Sequence, residues 1–194
     1  MSTARAQLLH VFKARAFSFG DFTLASGKKS AYYINSKKAI FNGEVVNLLG
    51  DVLWEITKDL NINAAGGLEV GAIPMAAVMA QRYAMHGKPL EGFFVRKQAK
   101  EHGAKERVEG VLNVGMRVAV LDDVLTTGGS VLQAIAEIEK VGAMIAAVVC
   151  IVDRLEGAGA ALAKYPFRPI FTIRDFGVEP PHEPEALATV PKMH

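Results

Sequence analysis

Residues Arg117 to Ser130 read Arg-Val-Ala-Val-Leu-Asp-Asp-Val-Leu-Thr-Thr-Gly-Gly-Ser: an apolar β-type run, two adjacent carboxylates, a turn rich in hydroxyls and glycine, and a helix start. The helix continues through Val131, Leu132, Ile135, Ile138 and Val141 at 3.6-residue spacing, with Gly142 as its stop signal. A second β-type run, Met144 to Val152, follows at once. A strand, a crossover helix and another strand imply parallel pairing, so the chain predicts an α/β fold.

The rest of the chain fits that class. Gly92 to Val95 is a further β-type run, and Arg117 to Leu121 bounds the run before the carboxylates. Ala64 to Leu68 reads as a short buried strand. Helical spacing marks Glu44 to Leu60, through Val45, Leu48, Leu49, Val52, Leu53 and Ile56, and a second helix over Pro74 to Met85. Pro180, Pro181, Pro184 and Pro191 predict an extended or irregular tail after Asp175. With 194 residues, 51% of them hydrophobic, a single domain over 1–194 is the expectation.

Charge and cysteine content narrow the function classes. A formal charge of +2 argues against a nucleic-acid coat or a polybasic membrane anchor. The longest apolar run, Ala143 to Val152, is about half of the ~20 residues a spanning helix needs, so no membrane is expected. One cysteine, Cys150, excludes an intrachain disulfide and a cysteine-based metal site, and points to a reducing cytoplasm. Arg5, Lys13 and Arg15 without an acid in the first twenty residues superficially resemble a transit peptide. Leu8, Leu9, Val11 and Phe12 read instead as one side of a first helix, and Phe17 to Tyr33 reads as part of the domain.

In an open α/β sheet, ligands collect beyond the carboxyl ends of the strands, and Asp122 and Asp123 stand there. Thr126, Thr127 and Ser130 offer hydroxyl donors, while Gly128 and Gly129 let amides at the helix start approach an anion. That is a monophosphate cradle, and two acids just upstream suit a phosphorylated sugar because carboxylates accept from vicinal hydroxyls. One helix cap would explain one of these residues, not the set. A Walker B reading fails, because Gly66 to Gly71 has the phosphate-loop glycine spacing but Ala72 and Ile73 where Lys and Ser/Thr belong.

Val120 to Ser130 resembles the phosphoribosyl pyrophosphate (PRPP) motif of the type I phosphoribosyltransferases. The resemblance implies an α/β fold of that type: a mainly parallel central sheet flanked by helices, a small hood from about residues 1–40 plus the C-terminal segment, and a mobile catalytic loop over 97–110. It assigns the ribose hydroxyls to Asp122 and Asp123, and the 5-phosphate to Thr126, Thr127, Gly128, Gly129 and Ser130, with Val124 and Leu125 inside the same PRPP-binding stretch.

Three further segments resemble orotate phosphoribosyltransferases. Phe22 to Asn35 carries a Leu-x-Ser-Gly-x-x-Ser-x-Tyr core. Tyr32 and Tyr33 point to opposite faces of a strand, so at most one packs on a planar base, and the resemblance favours Tyr33. Phe93 to Gly103 resembles an Arg-Lys-x-x-Lys-x-His loop and assigns Arg96, Lys97, Lys100 and His102 to the donor. Arg96 to Glu109 holds five basic and three acidic residues, and its fourteen residues could reach roughly 20 Å out and back, enough for a lid; a solvated surface loop is the plainer alternative. Cys150 to Gly157 resembles the strand-end Asp-Arg segment whose arginine, here Arg154, binds the orotate carboxylate; a surface ion pair with Glu156 or Asp153 competes with that role. Thr126 joins Arg154 and Tyr33 in the implied orotate site.

Two departures stand out. Ala25 and Gly71 occupy positions where some family members carry lysine, so pyrophosphate contacts near Glu69 to Gly71 fall mainly to backbone. The implied reaction is orotate plus PRPP giving orotidine 5-monophosphate and pyrophosphate in de novo pyrimidine synthesis. Mg²⁺ would be held mainly by donor oxygens and water, with no direct protein ligand. Lys100, Asp122 and Asp123 are the catalytic candidates, Lys100 for the strongest transition-state contact. A homodimer that shares the loop between subunits is implied too. Two alternatives remain: a transferase for uracil, adenine or hypoxanthine, and a non-catalytic PRPP sensor, which the retained loop residues and the lack of a basic DNA-reading helix disfavour.

Overall fold

The computed structural model describes residues 2–23, 27, 29–98 and 107–180. Helix α1 (Thr3–Ala16) leads into an antiparallel hairpin, β1 (Phe17–Thr23) and β2 (Lys29–Ile34), then a short α2 (Lys37–Ile40) and α3 (Gly43–Thr57). There follow β3 (Ala64–Leu68), α4 (Ala72–Met85), β4 (Glu91–Val95), β5 (Val108–Gly110), β6 (Arg117–Leu125), α5 (Gly129–Val141), β7 (Met144–Asp153), α6 (Ala158–Ala161) and β8 (Phe167–Thr172), and a 3-10 turn at Ile173–Phe176.

Six strands form one sheet in the order β5-β4-β3-β6-β7-β8, and β1-β2 stand apart as a two-stranded sheet. All neighbours in the large sheet are parallel except the β4–β5 pair. After β3 the chain moves outward to β4, while after β6 it moves to β7 on the other side. The strand order therefore reverses between β3 and β6, and the crevice beyond their carboxyl ends is where an α/β sheet opens for a ligand. Strand β7 is buried from Ala146 to Asp153, which its unbroken apolar run requires of a strand covered on both faces. On one face pack Val45, Leu49, Val52 and Leu53 of α3 with Met75 and Met79 of α4; on the other pack Val131, Ala134, Ile135 and Ile138 of α5.

Helix α1 buries Leu8, Phe12 and Ala16. Two of its basic residues tie it to the end of the chain's described part: Arg5 Nη2 donates to the Ile170 carbonyl (2.5 Å) and Lys13 Nζ to the Phe176 carbonyl (2.9 Å). Phe17 of the hairpin stacks on Tyr32 and Phe176, with centroids 5.5 and 5.3 Å away, so the hairpin rests on the same aromatic cluster.

The predicted strands and helices are present, with two corrections in the sheet. Strand β6 continues past Leu121 through both carboxylates to Leu125, because β7 keeps pairing beside it, Asp122 with Cys150 and Leu125 with Asp153. The polar stretch predicted as loop over 97–110 ends in strand β5, whose Val108 to Gly110 pair with Val95 to Phe93. After Asp175 the tail holds the end of the 3-10 turn before residues 177–180 run without regular structure; Pro181, Pro184 and Pro191 lie outside the described residues.

Candidate active site

The C-terminal half of strand β6 brings both carboxylates to the crevice, and both are buried. The Asp123 backbone N–H donates to Asp122 Oδ1 (2.9 Å), which fixes the two groups against each other. Burial and the neighbouring Asp123 charge push the Asp122 carboxyl up to about 7. Burial would raise Asp123 as well, but hydrogen bonds from Lys37 and Ser36 outweigh it and hold Asp123 below the ordinary carboxylate range. Asp122 therefore changes its protonation near neutrality, while Asp123 stays ionised.

Both of those donors stand at the start of α2, Ser36 as its N-cap residue and Lys37 as its first residue. Lys37 Nζ lies 2.6 Å from Asp123 Oδ2, and the Ser36 hydroxyl donates to the same oxygen. Ser36 stands at the N-cap position of α2, yet its hydroxyl makes no helix cap because it is spent on Asp123. Gly71, at the turn from β3 into α4, faces the other side of the carboxylate: a Cβ there would collide with Asp123 Oδ1.

The turn after β6 supplies the cradle. Gly128 has φ +84°, a left-handed conformation that favours glycine, and it opens α5. Thr127, Gly129 and Ser130 are exposed, and the hydroxyls of Thr126, Thr127 and Ser130 make no hydrogen bond among the described residues. The first turn of a helix also leaves amides without an intrahelical acceptor, so this surface offers both hydroxyl and amide donors to an anion. The segment after β7 clamps the cradle from below: the Arg154 N–H donates to the Leu125 carbonyl (2.9 Å) and the Ala158 N–H to the Thr126 carbonyl (3.1 Å).

Arg154 is 9% exposed, not a surface residue. Its Nη2 does pair with Glu156 (2.8 Å), as the competing reading of the sequence has it, and its Nε donates to the Tyr32 hydroxyl (3.0 Å) with the guanidinium 4.8 Å from the Tyr32 ring centroid. Tyr33 points the other way. It is 44% exposed, with its ring 5.5 Å from Phe22, and the fold does not bring it to Arg154.

Arg96 and Lys97 leave the end of β4 beside the β3–α4 turn. The Lys97 N–H donates to Glu69 Oε1 (2.8 Å), and the Glu69 N–H donates to the Val95 carbonyl (2.8 Å). Arg96 Nη1 lies 3.7 Å from Glu109 Oε1. Arg107 is an anchor here: it donates to the Arg96 carbonyl (2.9 Å), the Lys97 carbonyl (3.0 Å) and Glu137 Oε1 on α5 (3.0 Å). Lys100 and His102 lie outside the described residues.

Comparison with known proteins decides what such a site belongs to. The phosphoribosyl transferase domain family matches residues 41–183. The orotate phosphoribosyltransferase of Bradyrhizobium sp. strain BTAi1 is 42% identical over 181 residues, which cover 90% of this chain and 98% of that one. The chain belongs to the orotate phosphoribosyltransferase family.

Other orotate phosphoribosyltransferases agree. That of Streptomyces coelicolor is 44% identical over 159 residues, covering 82% of this chain and 87% of its own. The Mycobacterium tuberculosis H37Rv orotate phosphoribosyltransferase, solved in complex with PRPP, superposes with a TM-score of 0.76 at 30% identity, covering 90% of this chain and 99% of its own. The adenine phosphoribosyltransferase of Rhodothermus marinus, at 14% identity and a TM-score of 0.60, shares the fold.

For this family member, the sequence pointed to the Asp pair, the cradle and Arg154, and the structure gathers them at one crevice. It adds Ser36, Lys37, Tyr32 and Arg107. Ser36 and Lys37 carry a faint signal, a hydroxyl and a cation directly after a β-type run, one residue beyond the motif that ends at Asn35.

Proposed function

We propose that the chain transfers the 5-phosphoribosyl group from PRPP to orotate, releasing pyrophosphate and giving orotidine 5-monophosphate for pyrimidine synthesis. One observation carries this reading: the backbone of Arg154 is bonded to the strand end that opens the cradle, so a buried guanidinium and a sugar-phosphate nest form one unit. A guanidinium matches a carboxylate with two parallel hydrogen bonds, and orotate has a carboxylate where uracil, adenine and hypoxanthine have none.

In this reading the amides and hydroxyls of Thr126 to Ser130 take the 5-phosphate, and Asp122 and Asp123 take the ribose hydroxyls. Arg154 and Thr126 orient the base, Tyr32 fixes Arg154, and Tyr33 stands on the open face of the same strand. As pyrophosphate leaves, positive charge grows on the ribose carbon and negative charge on the departing oxygens. Arg96, Lys97, Lys100 and His102 meet that negative charge, and Lys100, a flexible ammonium, follows the moving oxygen. Anionic orotate needs no strong base to attack.

Asp122 and Asp123 stand at the crevice, and Mg²⁺ held mainly by donor oxygens and water would need no dedicated cage of protein ligands around them. Bound there, Mg²⁺ would neutralise charge on the pyrophosphate. No helix among the described residues is long and apolar enough to cross a membrane, and a buried free Cys150 suits the cytoplasm. We place the enzyme there as a homodimer whose active sites draw on both subunits. The test is to mix the protein with Mg²⁺, PRPP and, in turn, orotate, uracil, adenine and hypoxanthine. Pyrophosphate release with orotate alone supports the reading; release with another base, or with none, overturns it.

A further inference from the structure

Lys37 belongs to none of the segments that mark the family in this sequence, yet it makes a short contact to the centre of the site. Its side chain is 48% exposed at the rim, while the Asp123 side chain it reaches is only 7% exposed. Asp123 is thereby held from three sides. Lys37 and Ser36 both donate to Oδ2, its backbone N–H is tied to Asp122, and Oδ1 lies against Gly71, where the absence of a side chain leaves it room.

An acceptor for two ribose hydroxyls must keep its charge and its direction although it is buried beside a second carboxyl group, which repels that charge whenever Asp122 is ionised. An ion pair with one buried partner is stronger than an exposed one, and removing one member leaves a buried charge unmatched. Among the described residues, the charged and titratable groups that act on Asp123 are Asp122 on the same strand, Lys37 from the hairpin side, and the buried Cys150 thiol on β7, which feels both carboxylates and Asp153. Lys37 is the cation in this set.

We propose that Lys37 is a positioning residue for the donor site: with the Ser36 hydroxyl it keeps the Asp123 carboxylate charged and turned against Gly71, so that the ribose hydroxyls of PRPP meet a fixed acceptor. The inference rests on the ribose role of Asp123 proposed above. It gives the segment from β2 to α2 a task that Tyr32 performs in parallel for the base: Tyr32 orients Arg154, and Lys37, five residues on, orients Asp123.

The test is a double-mutant cycle on the full chain, reading the dissociation constant of Mg²⁺-PRPP by titration calorimetry at pH 7.5 without orotate. Lys37→Met should weaken donor binding about tenfold, the scale of a lost hydrogen bond to a charged group, and Lys37→Arg should restore most of it. In an Asp123→Asn background the same Lys37→Met change should alter binding less than about twofold, because the group it acts through is gone. Equal weakening in both backgrounds would mean that Lys37 meets the donor itself and would overturn the proposal, as would unaltered binding in Lys37→Met when Asp123→Asn binds weakly. If Asp123→Asn itself binds like the parent, the ribose reading fails and this inference with it. Should Lys37→Met not fold by circular dichroism, Lys37→Gln carries the same comparison.

Discussion

Arg154 and Tyr32 are 122 residues apart in the chain and meet across 3.0 Å, the guanidinium Nε donating to the phenolic oxygen. The contact joins the hairpin to the end of β7 and leaves the guanidinium edge fixed in direction. Burial raises the Tyr32 hydroxyl above its ordinary value, with Arg154 opposing, so Tyr32 is the neutral phenol at physiological pH. Tyr32→Phe keeps the ring and its cation–π contact while removing the acceptor. The orotate KM should rise several-fold, on the scale of ~1 kcal/mol for one hydrogen bond, with the PRPP KM close to the parent. Arg154→Ala should raise the orotate KM far more. Steady-state kinetics with each substrate varied checks both; an unaltered orotate KM in Arg154→Ala would move the base site elsewhere.

The proton on Asp122 makes a stability prediction. Its folded value, about 7, lies above the ordinary 3.8, so the empty protein binds this proton more tightly than the unfolded chain does. The associated stability is complete below about pH 4 and is lost as pH rises through about 7. Asp122→Asn mimics the protonated form at all pH values. Its melting temperature should match the parent near pH 4, pull ahead between pH 4 and 7, and keep a constant lead above that. Parallel melting curves across this range would contradict the assignment.

Gly71 tests the room around Asp123. Its backbone is ordinary, with φ −62°, so the constraint is steric: Gly71→Ala puts a methyl where the Asp123 carboxylate sits. Forcing one methyl into such a contact costs ~1–3 kcal/mol, and here the carboxylate is what yields, so donor affinity should fall about tenfold or more. Calorimetric titration with Mg²⁺-PRPP reads this directly, and parent-like affinity would show that the orientation of Asp123 is not needed.

Arg107 counts in the sequence as one more charge on a polar loop, but its three hydrogen bonds fasten the root of that loop to Arg96, Lys97 and α5. Arg107→Ala should lower kcat about tenfold through misplacement of the residues that meet pyrophosphate. The orotate KM should stay near the parent value. Equal kcat would make Arg107 a surface contact only.

Lys100→Ala should lower kcat more than it weakens PRPP binding, because the contact of a departing oxygen grows in the transition state. Single-turnover rates compared with the donor dissociation constant separate the two, and parent-like turnover removes Lys100 from the mechanism.

The β6–α5 unit is legible in the sequence because a long apolar run, a glycine turn and four helical turns each leave a full period of signal. Helix α2 and strand β5, at four and three residues, do not complete two periods, and no pattern announces them. Strand β6 extends through Asp122 and Asp123 against the low strand preference of aspartate, since pairing with β7 overrides it. Alternation tells that Tyr32 and Tyr33 face opposite ways, but which one turns inward is set by the hairpin docking on Phe176 and Arg154, contacts more than a hundred residues distant. Ser36 and Lys37 escape for the same reason: their partner, Asp123, is 86 residues or more away.

One crevice, between the ends of β3 and β6, is proposed to hold donor and base together. Its most direct test is a crystal of the protein soaked with Mg²⁺-PRPP. The 5-phosphate should lie on Thr126 to Ser130, the ribose hydroxyls on Asp122 and Asp123, and the anomeric carbon should face Arg154. Density for the donor away from Asp122, with the Thr126–Ser130 turn bare, would contradict it.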